Sequence, residues 1–108
     1  MALPHAQPLQ VITLHPAPGA VAATVTTSLL KTPGLQLIRL VLGSGQSLPE
    51  HHVPGDITIH CLSGRADVRT PRATCALQAG TLVMLPPAEP HAVQAHEDSV
   101  LLVTLVSA

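Results

Sequence analysis

Glycine and proline divide this sequence into short apolar runs, and none of them shows the sustained 3.6-residue periodicity of an amphipathic helix. The chain has 7 glycines and 11 prolines in 108 residues, and they fall between segments rich in valine, leucine, isoleucine and threonine. About eight to ten short strands at roughly even spacing are therefore expected. This pattern predicts an all-β sandwich or barrel.

The expected strands cover residues 21–30, 35–42, 57–62, 66–70, 73–78, 82–85, 91–95 and 100–106. The sequence Thr-Pro-Gly at 32–34 is a turn signal, so it predicts a hairpin between the first two strands. The runs 82–85 and 100–106 are continuously apolar, which is typical of strands buried on both faces. In a chain this small, such strands indicate a homodimer whose interface covers the outer face of one sheet.

The length and the distribution of proline predict one domain with an N-terminal extension. Residues 1–20 contain four prolines around one short apolar run at 9–14, so they are expected to form an extended arm that adds an edge strand. Residues 21–108 are expected to form the single domain. The start of the chain lacks the pattern of a secretory signal, so the sequence predicts a cytoplasmic protein.

Composition argues against several classes of partner. The formal net charge is -1 and there is no phenylalanine, tyrosine or tryptophan, so nucleic acid is not an expected partner. The apolar runs are too short to span a bilayer, so no membrane partner is expected. Cys61 and Cys75 lie inside predicted strands without metal-binding spacing, and they are interpreted as small buried hydrophobes; a disulfide between them stays open.

Two segments share one plan and carry the candidate functional residues. Residues 45–64 and residues 80–91 each combine a glycine turn, a short apolar run, a proline and a histidine. The histidines His51 and His91 are expected to point toward a common interior. Their imidazoles are the candidate general acids or bases of such a site, because the imidazole group titrates near neutrality.

These residues resemble the two motifs of the cupin family, a family of small double-stranded β-helix or RmlC-like jelly-roll barrels with two antiparallel sheets. The matching residues are Gly45, His51 and Gly64 in the first motif and Gly80, Pro86 and His91 in the second. The resemblance spans residues 21–106. Where the family has its second histidine and its glutamate, this sequence has Val53 and Ile57, and in this it is similar to small bacterial single-domain cupins that lack the glutamate.

The resemblance implies a barrel that binds a divalent transition metal, namely Zn, Fe, Ni, Mn or Cu. His51 and His91 are the expected ligands, with His52 or His60 as the third. Because side chains alternate along a strand, His60 is expected to face away from the interior unless a bulge at 54–55 reverses the register. The expected pocket-lining residues are Ile57, Ile59, Cys61, Val83 and Leu85.

Three functional hypotheses follow from the sequence and the resemblance. The first is a metal-dependent enzyme of the dioxygenase or isomerase type that acts on a small organic molecule. The second is a metal-free, non-enzymatic module that binds or senses a small molecule in an apolar pocket. The third is a barrel without a ligand. The family resemblance implies a scaffold and a pocket rather than a substrate.

Overall fold

The structure, a computed structural model, describes residues 5–15 and 25–107. These residues form nine strands and no helix. The strands are β1 (Thr27–Lys31), β2 (Leu35–Leu42), β3 (Ser47–His51), β4 (Ile57–Ser63), β5 (Arg65–Arg69), β6 (Thr74–Gln78), β7 (Leu82–Leu85), β8 (His91–Ala95) and β9 (Ser99–Val106). Within the described ranges, no helix is long and apolar enough to cross a membrane.

The strands form two antiparallel sheets. The larger sheet has the order β1-β2-β9-β4-β7, and the smaller sheet has the order β3-β8-β5-β6. Every strand pairing is antiparallel. The predicted all-β class and the jelly-roll arrangement of two sheets are therefore confirmed.

Alternation along β4 explains how the larger sheet supplies its half of the core. Ile57, Ile59 and Cys61 are buried, and Thr58 and His60 between them are only partly buried. In register, the three buried residues lie opposite Leu105, Val103 and Leu101 of β9. Because the sequence has no aromatic residue, interdigitated aliphatic side chains fill the space between the sheets.

The smaller sheet completes the core with smaller side chains. Its buried positions alternate along β5 and β8 and include one residue of β6; they are Ala66, Val68, Leu77, Val93 and Ala95. The expected strands at 66–70 and 73–78 are observed as β5 and β6, which pair as an antiparallel hairpin. Apolar residues alternate with polar ones along both strands of this hairpin, so each strand has one apolar face.

Two expectations about burial are wrong within the single chain. Leu82 and Met84 of β7 are each 59% exposed, so this strand is not buried on both faces. Cys75 is exposed, whereas Cys61 is buried, and both are free thiols. The reason is the same in both cases: β7 and β6 are edge strands, with no neighbour on one side and no described layer over them.

The part of the predicted N-terminal arm that the structure describes, residues 5–15, contains no strand. Residues 9–14 have no ladder of backbone hydrogen bonds. The arm is tied to β1 by the backbone bond from Ala6 N to Leu29 O at 2.9 Å and by a bond between His5 Nε2 and Ser28 Oγ at 2.9 Å. Arg39 of β2 donates to the carbonyl oxygens of Thr13 and Leu14 at 2.9 and 3.4 Å. The expected strand at 21–30 is observed only from Thr27, and residues 21–24 lie outside the described residues.

Candidate functional site

His51 and His91 meet across the pairing of β3 with β8. Along this ladder Leu48 lies opposite Val93 and His51 lies opposite His91, so three steps on β3 match two on β8. An odd number of steps along a regular strand reverses the direction of a side chain. The extra residue of this bulge therefore lets both Leu48 and His51 face the same side as Val93 and His91.

The two imidazoles form a close pair at the interior surface of the smaller sheet. Their ring centroids are 4.3 Å apart and the ring planes are tilted by 58°. His91 is 1% exposed, and His51 is partly buried. The pair therefore has one deeply buried member and one member that solvent reaches.

Each ring is fixed by a hydrogen bond to the backbone carbonyl two residues before it in the chain. His51 Nδ1 lies 3.1 Å from the carbonyl oxygen of Pro49, and His91 Nδ1 lies 3.0 Å from the carbonyl oxygen of Glu89. A carbonyl oxygen only accepts, so each Nδ1 carries the proton. In the neutral imidazole, each Nε2 then has a free lone pair.

We expect both rings to be found as the Nδ1–H tautomer. Long-range ¹H–¹⁵N correlation spectra of the histidine side chains at slightly alkaline pH are expected to show an unprotonated Nε2 on His51 and on His91. His52, an exposed neighbour without a described side-chain bond, serves as the internal reference. A protonated Nε2 on His91 would contradict the hydrogen bond to Glu89.

The other proposed ligands do not join this pair. His52 is exposed next to His51. His60 lies on the outer face of the larger sheet, between Leu82 and Leu102 in register, as the alternation of β4 requires. No bulge forms at 54–55 to reverse it; the irregularity lies between Leu48 and His51 instead.

Cys61 is buried with the interior residues, but its thiol is occupied. Its Sγ donates to the carbonyl oxygens of Ser63 and Gly64 at 3.4 and 3.6 Å. Burial, and to a smaller extent the charge of Glu97, raises the pKa of this thiol. Because the thiolate is the form that ligates metals, Cys61 is a packing residue here.

The donor set does not fit a metal centre with three or four protein ligands. Among the described residues, which include all seven histidines, no group of three or more histidine, cysteine, aspartate or glutamate side chains is arranged to hold a metal ion. Val53 and Ile57, at the positions where the family pattern has ligands, are apolar. His51 and His91 alone provide two donors.

The expected pocket-lining residues are packed rather than open. Ile57, Ile59, Cys61 and Leu85 are buried in the core, and Val83 packs against them. Three hollows of about 190 to 250 Å³ lie at the surface of the described residues, and none of these five residues lines them. The largest, beside the bulge, is lined by Ser47, Leu48, Pro49, Glu50, Asp67, Arg69, Thr74, Ala92, Val93 and Gln94.

Sequence reasoning missed the bulge that directs His51 inward. The available signal was Pro49, because a proline inside a strand lacks a ladder donor and is found at edges and bulges. It also missed the two carbonyl oxygens that hold the rings, since those contacts depend on the local backbone conformation before each histidine.

Two antiparallel sheets around an aliphatic core, with a histidine pair on the inner face of one sheet, define a small jelly-roll barrel. The family model described as Cupin domain matches residues 38–107, which is more than half of the chain. The chain therefore belongs to the cupin family. A search of curated proteins gives no match.

Solved structures with the same fold are distant in sequence. A conserved protein of unknown function from Streptococcus pyogenes aligns with a TM-score of 0.76 and 22% identity, covering 100% of this chain and 96% of that one. A cupin superfamily protein from Desulfitobacterium hafniense aligns with a TM-score of 0.75 and 19% identity, covering 78% and 77%. A DMSP lyase from Ruegeria pomeroyi aligns with a TM-score of 0.66 and 22% identity, covering 70% and 40%. These likenesses concern the fold.

Proposed function

We propose that this cupin binds a small organic molecule at the His51–His91 pair. The observation that supports the proposal is the fixed orientation of both rings, which leaves each Nε2 as a hydrogen-bond acceptor. Two neighbouring acceptors select a ligand with two adjacent O–H or N–H donors. A diol, a catechol or an amino alcohol has this chemistry.

A divalent transition metal is the second candidate ligand. An imidazole whose other nitrogen donates to a backbone carbonyl is the arrangement found for metal-ligating histidines, and both rings have it. With two protein donors, an ion such as Zn, Fe, Ni, Mn or Cu would take its remaining ligands from water or from the organic molecule. Such an ion is expected to exchange readily, because stable sites usually have three or more protein ligands.

A binding experiment on protein purified without a histidine tag separates the two candidates. Wild-type protein, His51→Ala and His91→Ala are titrated with Zn²⁺ alone, with catechol alone and with both, followed by calorimetry. Catechol binding without metal that weakens at least about fivefold in either variant supports the first candidate, since losing one good hydrogen bond costs about 1 kcal/mol or more. Binding only in the presence of Zn²⁺ supports the second.

His52→Ala is the matched control, because His52 is exposed and directly follows His51. Its affinities are expected to equal those of the wild type. If neither probe binds in any combination, or if His52→Ala weakens binding as much as His51→Ala, the histidine pair is not the binding centre.

We also propose a cytoplasmic homodimer in which residues 1–20 are an arm on the single domain formed by residues 21–108. The two free thiols Cys61 and Cys75 are consistent with a reducing compartment. The exposed apolar outer face of β7 supports association. Light scattering at micromolar concentration tests the dimer, and a monomeric mass would exclude it.

A further inference from the structure

The outer face of the smaller sheet has a hollow of about 250 Å³ over strand β8. Side chains alternate along this strand: His91 and Val93 point to the interior, so Ala92 and Gln94 point outward. Ala92 is nevertheless only 9% exposed, and it is not part of the hydrophobic core. Longer neighbouring side chains therefore rise above Ala92, and its methyl group forms the floor of the hollow.

The strand register identifies the two walls of this hollow. On one side Arg69 of β5 lies opposite Ala92, and Thr74 of β6 lies opposite Arg69. On the other side the wall is the bulge of β3, where Pro49 and Glu50 are both exposed. Because β3 and β5 flank β8, the backbones of the two walls are about 10 Å apart, which is two strand spacings.

The two walls carry opposite charges that have no partner within the protein. Arg69 and Glu50 both line the hollow, and no ion pair among the described residues includes either of them. Asp67, a further lining residue, already has its Oδ2 atom 2.9 Å from His96 Nε2. A guanidinium binds a carboxylate through two parallel N–H donors, and a carboxylate accepts hydrogen bonds from an ammonium group. The walls are therefore complementary to a ligand that has both groups.

We propose that this hollow binds a small zwitterion, with a carboxylate and an ammonium group at the two ends of a short methylene chain. The ligand carboxylate accepts from the Arg69 guanidinium, the ligand ammonium donates to Glu50, and the chain lies on the methyl group of Ala92. A molecule of amino-acid size has room in 250 Å³, since one water takes about 30 Å³ in the liquid. A ligand with a single charge reaches only one wall, so the arrangement favours the zwitterion over a simple anion or cation.

This site is separate from the histidine pair and goes beyond the function proposed for it. His51 and His91 lie on the inner face of the sheet, whereas the hollow lies on its outer face. Its ligand is selected by two opposite charges rather than by two neutral acceptors. Pro49 belongs to both places, because it lines the hollow while its carbonyl oxygen accepts from His51 Nδ1. A ligand in the hollow therefore contacts the segment that orients His51.

A titration of ¹⁵N-labelled protein with γ-aminobutyrate tests the inference. Shift changes in ¹H–¹⁵N spectra are expected at the backbone amides of Arg69, Thr74 and Gln94, and not at those of Thr58 and His60 on the larger sheet. Butyrate and n-butylamine each carry one of the two charged groups. At equal ionic strength each is expected to bind at least about threefold more weakly than γ-aminobutyrate, because exposed charge contacts contribute modestly.

Single substitutions on the walls complete the test. Arg69→Gln and Glu50→Gln are each expected to weaken γ-aminobutyrate binding at least about threefold, and both side chains are exposed, so the fold is retained. Arg65→Gln is the matched control, because Arg65 is exposed on the same face of β5 but does not line the hollow. His91→Ala is expected to bind γ-aminobutyrate as the wild type does.

Three results would overturn the inference. They are the absence of shift changes around the hollow, butyrate binding as tight as that of γ-aminobutyrate, and unchanged affinity in Arg69→Gln. Loss of γ-aminobutyrate binding in a folded His91→Ala variant would also overturn it, by moving the ligand to the histidine pair. None of these results bears on catechol or metal binding by the pair, so the two proposals fail independently.

Discussion

Replacement of Gly64 by alanine is expected to lower the free energy of unfolding by about 2–5 kcal/mol. This loss combines the cost of placing an L residue in a left-handed backbone conformation with the cost of overpacking. Gly64 joins β4 to β5 with a φ of 86°. A Cβ there would overlap the carbonyl oxygen of Asp98 and lie 2.7 Å from Ser99 Cα. These are backbone atoms at the start of β9, and they cannot move aside as a flexible side chain would.

The buried hydroxyl of Ser99 makes this overlap more damaging. Ser99 Oγ accepts from Arg65 N at 3.1 Å and lies 3.0 Å from Arg65 O and 2.7 Å from Glu97 O. A shift of Ser99 away from a new methyl group would break these bonds in a site without solvent access. A buried polar group such as the Ser99 hydroxyl, left without its partners, costs about 1–3 kcal/mol.

Gly80→Ala is the matched control for this prediction. Gly80 has nearly the same φ, 88°, but a Cβ there meets nothing within 4 Å. Its replacement is expected to cost only about 1–2 kcal/mol, from the backbone conformation alone. Urea unfolding of both variants measures the difference. Equal losses in the two variants would mean that the crowding around Gly64 has no energetic effect.

The core strands could be predicted because their alternation is a local property of the sequence. Ile57, Ile59 and Cys61 are spaced by two residues between glycine-containing turns, and burial on one side is the arrangement that this spacing permits. Cys75 has the same spacing relative to Leu77, yet it is exposed. Its exposure depends on the place of β6 at the end of a sheet, and strand order is not encoded in local spacing.

The histidine pair could be predicted only in part. The glycine and proline spacing of the two motifs placed His51 and His91 in corresponding parts of one fold, and the structure brings the rings to 4.3 Å. Among the described residues, the lack of a third donor follows from which face each neighbour takes, and alternation along β4 turns His60 away from the pair. The bulge before His51 was not predicted, because a bulge reflects the pairing of β3 with a strand more than 40 residues later.

Replacement of Ile57 by glutamate is expected to add a carboxylate donor to the two histidines. Ile57 is 2% exposed and stands at the position where the family resemblance implies a carboxylate ligand. Without metal, a carboxylate in this core has no partner, and the variant is expected to lose roughly 3–5 kcal/mol of stability. With metal, the carboxylate and the two imidazoles supply three donors, the number that stable transition-metal sites usually have.

Metal is therefore expected to raise the stability of Ile57→Glu selectively. Binding to the folded state alone stabilises by about 2.7 kcal/mol at a metal concentration of 100 times the dissociation constant. Thermal unfolding with and without Co²⁺ measures this gain, and Co²⁺ absorption reports the coordination.

Ile59→Glu is the control that separates ligation from burial. Ile59 lies on the same face of β4, two residues further on, and is 1% exposed, so a carboxylate there has the same desolvation cost. Ile59→Glu should be destabilised without recovery by Co²⁺, and adding His91→Ala to Ile57→Glu should abolish the recovery. If Co²⁺ stabilises both glutamate variants alike, Ile57 does not occupy a ligand position. A selective gain would mean that the wild-type protein differs from a three-ligand metal cupin by one buried side chain, which keeps its two histidines free for a hydrogen-bonding ligand.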